Sequence, residues 1–277
     1  MRQGLDWGRR YLMTEPRHFT VCYHINPWMT PTVVTETAQL EWKRLVGAIE
    51  ASGAEVTTMP DVEGLPDMAF TMNAGFVFGD KAVPSTFHHP ERQPETAHWS
   101  AWFERAGYEL VDLGLPSGSS FEAGDAFLLG EALVGAWGFR SSREAPPALA
   151  AATGRPLVQV RLVDDRFYHF DTCFCPLGPD SAIVFLDAIA PEDRSHLLDL
   201  VADPLLIEEA EALTLCANSL VIGDDVLMST CPPRVERALR DRGFHVTTIE
   251  VGEFHKSGGS VRCLTLPLDL PGPRRSA

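Results

Sequence analysis

A polar Asn or Asp stands just before a short apolar hairpin again and again along this chain. Asn73 leads into residues 74–78, a Gly79-Asp80 turn and residues 81–83. Asp125 leads into 126–129, a Gly130-Glu131 turn and 132–134. Asp171 leads into 172–175, a Gly178-Pro179-Asp180 turn and 182–185, and Asn218 into 219–222, Gly223-Asp224-Asp225 and 226–228. Short apolar runs joined by Gly-Asp or Gly-Glu are hairpin signals. With Asn26 as the first anchor, the spacings are 47, 52, 46 and 47 residues, and Cys263 follows 45 residues after Asn218. A fixed period of roughly 20–50 residues marks a repeat architecture, in which each repeat is one supersecondary unit.

Between hairpins the pattern changes from period two to a helical one. Residues 37–52 carry Leu40, Leu45, Val46 and Ile49 at helical spacing, and residues 55–59 then read as a strand. Residues 95–106 followed by 108–113 repeat that order, as do 233–242, stopped by Gly243, and 245–249. The unit is hairpin, helix, strand. Five such units can close into a ring, which removes exposed sheet edges. The expectation is one α/β domain over residues 1–277, with a loose tail from about 268 to 277. Pseudo-symmetry then brings the anchors and Cys263 to one central cavity. The alternative is that Asn and Asp only cap turns.

The net charge of −15 argues against a nucleic-acid surface and is compatible with a cationic small substrate. No run of about 18 apolar residues exists, and residues 1–10 lack the apolar core of a signal peptide. Six cysteines then read as reduced cytoplasmic thiols, with Cys173 and Cys175 as core residues rather than metal ligands. His88, His89 and His98 read as a solvated loop. No dinucleotide or P-loop glycine motif occurs, so no cofactor and no metal is expected.

Cys263 alone among the cysteines follows a Gly-Gly pair, Gly258-Gly259, with Lys256 and Arg262 nearby. Basic neighbours could lower its pKa, and the thiolate is the nucleophile. The alternative is a small buried residue in the closing strand. Glu122 and Asp125 supply two carboxylates three residues apart, and His169 and Asp171 alternate, which in a strand puts them on one face. Thiol, imidazole and carboxylate together form a set for nucleophilic catalysis with general acid–base help. Carboxylates raise a nearby thiol's pKa, so they suit a substrate that is itself a cation. A guanidinium presents a fork of N–H donors that matches carboxylates, and its charge would help ionise the cysteine.

These residues resemble the guanidine-modifying, or amidinotransferase, superfamily of arginine deiminases, dimethylarginine dimethylaminohydrolases, arginine dihydrolases and amidinotransferases. The resemblance runs through residues 23–29, 66–75, 121–126, 167–174 and 256–265. It implies a five-bladed α/β propeller and a small guanidino substrate, with no cofactor. It implies that Cys263 attacks the guanidinium carbon to give a covalent thiouronium, and that His169 protonates the leaving amine and then activates water. It implies that Glu122 and Asp171 hold guanidine nitrogens with support from Asp125. Arg92 and Arg140 match arginines that grip the substrate's α-carboxylate; the plainer alternative for both is a solvated surface charge.

Asn73 departs from the Asp that deiminases and dimethylarginine hydrolases tend to carry, and Asn26 is a second amide. This pattern looks like the dihydrolase branch, which takes arginine through citrulline to ornithine. An amide offers a donor as well as an acceptor and suits a neutral ureido intermediate. The alternatives are a single hydrolysis to citrulline, a dimethylarginine hydrolase, an amidinotransferase, or a non-catalytic guanidino binder. An exposed propeller face could also support a homodimer.

Overall fold

The computed structural model describes residues 4–272. The chain lays down strand β1 (Arg10–Glu15), helix α1 (Thr35–Ala51) and β2 (Glu55–Pro60). Next come β3 (Gly75–Phe78), β4 (Lys81–Pro84), α2 (Glu95–Arg105) and β5 (Glu109–Leu110). They are followed by β6 (Ala126–Leu129), β7 (Ala132–Trp137), α3 (Ala145–Thr153) and β8 (Leu157–Arg161). Then come β9 (Phe174–Pro176), β10 (Ser181–Val184), α4 (Pro191–Leu200), β11 (Asp203–Leu206) and α5 (Glu209–Ala212). The last elements are β12 (Leu220–Ile222), β13 (Asp225–Met228), α6 (Pro233–Asp241), β14 (His245–Thr248), α7 (Gly252–His255) and β15 (Leu266–Pro267).

These strands make five three-stranded sheets. In β3-β4-β5, β6-β7-β8, β9-β10-β11 and β12-β13-β14, a tight antiparallel hairpin is followed by a helix and a parallel outer strand. The fifth sheet is built from both ends of the chain: β1 pairs antiparallel with β15 and parallel with β2. The expected α/β propeller of five ββαβ units is what the chain forms.

Ring closure corrects one reading. Asn26 follows β1, a middle strand, so it does not lead into an inner strand as the other anchors do. The anchor of that blade is Cys263, ahead of β15. The loose tail is also corrected. Leu268 and Leu270 are buried, and the Asp269 carboxylate accepts from Gly8 N at 3.0 Å and Arg9 N at 2.6 Å. Residues 273–277 lie outside the described residues.

The outer helices cover the sheets with apolar stripes. In α1 the buried face is Ala38, Trp42, Leu45 and Ile49, whereas Leu40 points outward. The strand expected over 108–113 shortens to Glu109–Leu110, because the chain then turns away through Gly114, Pro116 and Gly118 toward Glu122. Cys173 and Cys175 are core residues. Among the described residues no helix is long and apolar enough to cross a membrane.

Candidate active site

Each anchor sits in a tight turn just before the inner strand of its blade. Asn73 lies in the 3₁₀ turn Thr71–Ala74, Asp125 in Ala123–Asp125 and Asp171 in Phe170–Thr172. His169 caps that last turn rather than standing in a strand, yet it still reaches the same centre. Asn218 and Cys263 occupy the equivalent places before β12 and β15. The turns crowd together around Gly124. A Cβ there would lie 3.0 Å from Asn73 Oδ1, 3.3 Å from His169 Cγ and 3.4 Å from Asp171 Cγ. Glycine at 124 is what lets three blades meet so closely.

At this centre the Cys263 sulfur lies 3.3 Å from Asp171 Oδ2 and accepts from Asn218 Nδ2 at 3.1 Å. Burial, and then the charge of Asp171, push the thiol pKa well above its ordinary value. Burial also raises Asp171, against the pull of His169. Burial likewise lifts Asp125 to about 6, again opposed by His169. Glu122 behaves differently. Burial would raise it, but Arg140 beside it and the hydrogen bond from His169 hold it below the usual carboxylate range.

Glu122 has both oxygens occupied. Oε1 accepts from His88 N at 3.1 Å; Oε2 meets His169 Nε2 at 2.8 Å and Arg140 Nη1 at 3.4 Å. Oε1 keeps one lone pair for the guanidine contact expected of Glu122, while Oε2 is taken up by His169 and Arg140. Asp125 and Asp171 each keep an open oxygen: Asp125 Oδ2 and Asp171 Oδ1 are buried with no hydrogen-bond partner, as is His169 Nδ1. Asp125 Oδ1 accepts from Phe170 N at 3.0 Å. Asn73 Oδ1 accepts from Gly124 N at 3.0 Å, which fixes the amide's orientation and leaves Nδ2 as its remaining donor.

Arg92 and Arg140 are buried, not solvated. Arg92 grips Glu95 through Nε at 2.8 Å and Nη2 at 2.9 Å, reaches Asp67 O at 3.0 Å and lies over the Phe87 ring. Arg140 stacks on Tyr168 and donates to Ile25 O at 2.9 Å. Between them, near Ser257, is a buried carboxyl that the sequence reading passed over: Asp67, raised by burial and opposed by Arg92. Asp67 lies in the 66–75 segment but outside the repeat period that marks the anchors. Asn218 was seen as an anchor, yet its link to the thiol was not.

The segment after β1 crosses toward these groups. Asn26 Nδ2 donates to Ser257 O and its Oδ1 accepts from Trp28 N, so only a second lone pair remains for a ligand. Trp28 Nε1 donates to Arg166 O, and Thr30 N to Lys256 O. The basic neighbours of Cys263 divide. Lys256 is engaged with Glu253 and Thr32 O. Arg262 is buried between Trp7 and Phe127, with Nε and Nη1 unpartnered.

The geometry can be set beside known proteins. Residues 27–270 match the family model for eukaryotic N,N dimethylarginine dimethylhydrolase. The chain is 36% identical over 271 residues to the bifunctional arginine dihydrolase/ornithine cyclodeaminase ArgZ of Synechocystis sp., covering 95% of this chain and 38% of that relative. It is 34% identical to the N(G),N(G)-dimethylarginine dimethylaminohydrolase of Mycobacterium tuberculosis, covering 94% and 86%. Among solved structures, the N-terminal domain of ArgZ, as a cysteine-to-serine mutant bound to substrate, superposes with a TM-score of 0.91 at 35% identity, covering 95% and 98%.

Proposed function

Because this chain belongs to the N,N dimethylarginine dimethylhydrolase family, we propose that it is a cysteine-dependent hydrolase of guanidino C–N bonds acting on free L-arginine. Arginine and two waters become ornithine, two ammonia and carbon dioxide. What carries the reading is that two buried carboxylate oxygens, Asp125 Oδ2 and Asp171 Oδ1, have no hydrogen-bond partner, with the Asp171 carboxyl set against the thiol. Unpaired buried acceptors are costly, and a guanidinium supplies the missing N–H donors together with the compensating charge.

In this reading the guanidinium charge offsets the carboxylates, and the Cys263 proton, otherwise held by burial, departs to His169. The Nε2 proton of His169 is fixed by ionised Glu122, so Nδ1 is the nitrogen that carries the transferred proton. The thiolate forms a C–S bond, and Nδ1–H protonates the departing amino group, which leaves as ammonia when the C–N bond breaks and a thiouronium remains. Water then gives a proton back to Nδ1 and attacks the same carbon. As the C–S bond breaks, the adduct's hydroxyl proton passes to the sulfur, leaving a ureido group and the thiol, and Nδ1 gives its proton to the released ammonia as ammonium. At the other end Arg92 and Arg140 face the α-carboxylate and Asp67 the α-ammonium.

The Asn73 amide favours a second round. Its carbonyl is taken by Gly124 N–H, so what it offers is an N–H donor, suited to the ureido oxygen and unsuited to an all-donor guanidinium. Mass-spectrometric product analysis, with arginine, dimethylarginine and citrulline offered in parallel, tests this. Ornithine with ammonia is expected from arginine. Citrulline as the end product would exclude the second round, and turnover of dimethylarginine alone would move the substrate. Retained turnover in Cys263→Ala would remove the covalent step. A cytoplasmic location and a homodimer belong to the same proposal; light scattering tests the dimer.

A further inference from the structure

We propose that Asn218, through its side-chain amide, is a catalytic residue that aims the Cys263 sulfur and steadies it as a thiolate. This rests on the covalent reading above and deepens it. Asn218 is wholly buried, and every polar atom of its side chain is committed to the nucleophile or its surroundings. Nδ2 donates to Cys263 Sγ at 3.1 Å and to Asp171 O at 2.9 Å. Oδ1 accepts from Cys263 N and Ser260 N, both at 3.1 Å, and the Asn218 carbonyl accepts from Arg262 N at 3.2 Å. One residue of the fourth blade thus holds the backbone of the 260–263 turn and, separately, the reacting sulfur.

The two ends of the amide have separable jobs. Oδ1 is structural: it satisfies two buried backbone N–H groups. Nδ2 faces the sulfur, and its value changes through the reaction. A thiol can donate to Asp171 Oδ2, 3.3 Å away, and still accept from Nδ2. Once the proton leaves, Asp171 offers the sulfur only repulsion, whereas a hydrogen bond to a charged acceptor strengthens. The charged and titratable groups around the sulfur are Asp171, Tyr168 and the buried Arg262, together with His169, the proton acceptor of the reading above, which acts on Asp171. A carboxylate in place of Asn218 would set a further negative charge against the thiolate. The repeat supplies Asp at two other anchors, Asp125 and Asp171, and a neutral amide here is the arrangement the nucleophile requires.

Asn218→Asp is the informative substitution, since it can keep both Oδ1 bonds while replacing the donor that faces the sulfur and Asp171 O with a charged acceptor. Asn218→Ser, which shortens the reach without adding charge, serves as the second variant, and circular dichroism melting establishes that each is folded. The primary readout avoids turnover: the rate of Cys263 alkylation by a haloacetamidine, a small cation carrying its own electrophilic carbon, followed from pH 6 to 9.5 beside neutral iodoacetamide. The expected result is a fall of at least tenfold at pH 8 in both variants, with the profile displaced to higher pH. Arginine affinity, measured in a Cys263→Ser background, should change less than threefold. Unchanged alkylation in folded variants overturns the proposal. So does a loss of arginine affinity as large as the loss of reactivity, which would make Asn218 a binding residue. If the parent protein shows no preference for the cationic reagent, it is the guanidino reading that fails.

Discussion

Asp125 illustrates what the site costs a single residue. Its carboxyl titrates at about 6 in the folded chain against an ordinary 3.8, because burial outweighs the help of His169. Between those values the folded state keeps a proton that the unfolded chain has released, so stability falls as pH rises through that window. The full penalty, present above pH 6, is about 3 kcal/mol, taking roughly 1.36 kcal/mol per unit of displacement. Asn at 125 can still accept from Phe170 N without carrying that charge. Asp125→Asn should therefore gain stability over the parent as pH rises from 4 to 7, read by denaturant unfolding at each pH, while its arginine turnover falls at least 100-fold. The carboxylates, His169 and Cys263 were legible because the repeat aligns them. The division of labour among carboxylates was not, since it depends on which oxygens backbone N–H groups and Arg140 already occupy. Burial of Arg92 and Arg140 was equally invisible, because a charged residue in a loop reads as solvated until its partners from other segments, the Asp67 carbonyl and the Tyr168 ring, are brought to it.

At the scale of elements, the turn that carries Cys263 is held by close packing on one side. Gly258 adopts φ +86°, and a Cβ there would lie 2.7 Å from Asn26 Oδ1. Gly259 presses on an aromatic wall: a Cβ would lie 2.2 Å from Phe70 Cε1, and Phe70 packs edge-on against Phe19 and Phe254. Gly259→Ala must displace that ring. The expected cost is about 1–3 kcal/mol of stability, seen as a lowered melting temperature, with a loss of turnover exceeding the loss of folded protein. The Gly-Gly pair was readable as a place of close approach, but what approaches is the Asn26 amide at Gly258 and a core aromatic ring at Gly259 rather than ligand. Helix α1 shows the same limit. Its period was legible, but Leu40 was assigned to the buried face that Ala38 and Trp42 occupy, two positions either side. Strand β5 was drawn too long because β-rich composition continues past the last paired residue.

The whole molecule depends on its seam. Sheet β15-β1-β2 joins the two ends of the chain, and Asp269 clasps Gly8 and Arg9 beside it. Asp269→Ala leaves two backbone N–H groups without their carboxylate, and the expected loss is about 1–3 kcal/mol in denaturant unfolding, with the spectrum of the folded state retained. The ring and its five units were legible from the 47-residue period alone. The seam was not, since a period counted from the first residue assigned Asn26 to the place that Cys263 fills from 237 positions further along. The seam also sets an order on synthesis. A nascent chain can assemble four of its blades while still attached to the ribosome, but the fifth lacks its inner strand until β15 has emerged. Asp125, Asp171 and His169 are then gathered early around an incomplete centre, and the thiol joins them only when the ring shuts. The reactive sulfur is thus the last of these groups to join the ring, and four blades without the seam hold the carboxylates and His169 but no nucleophile.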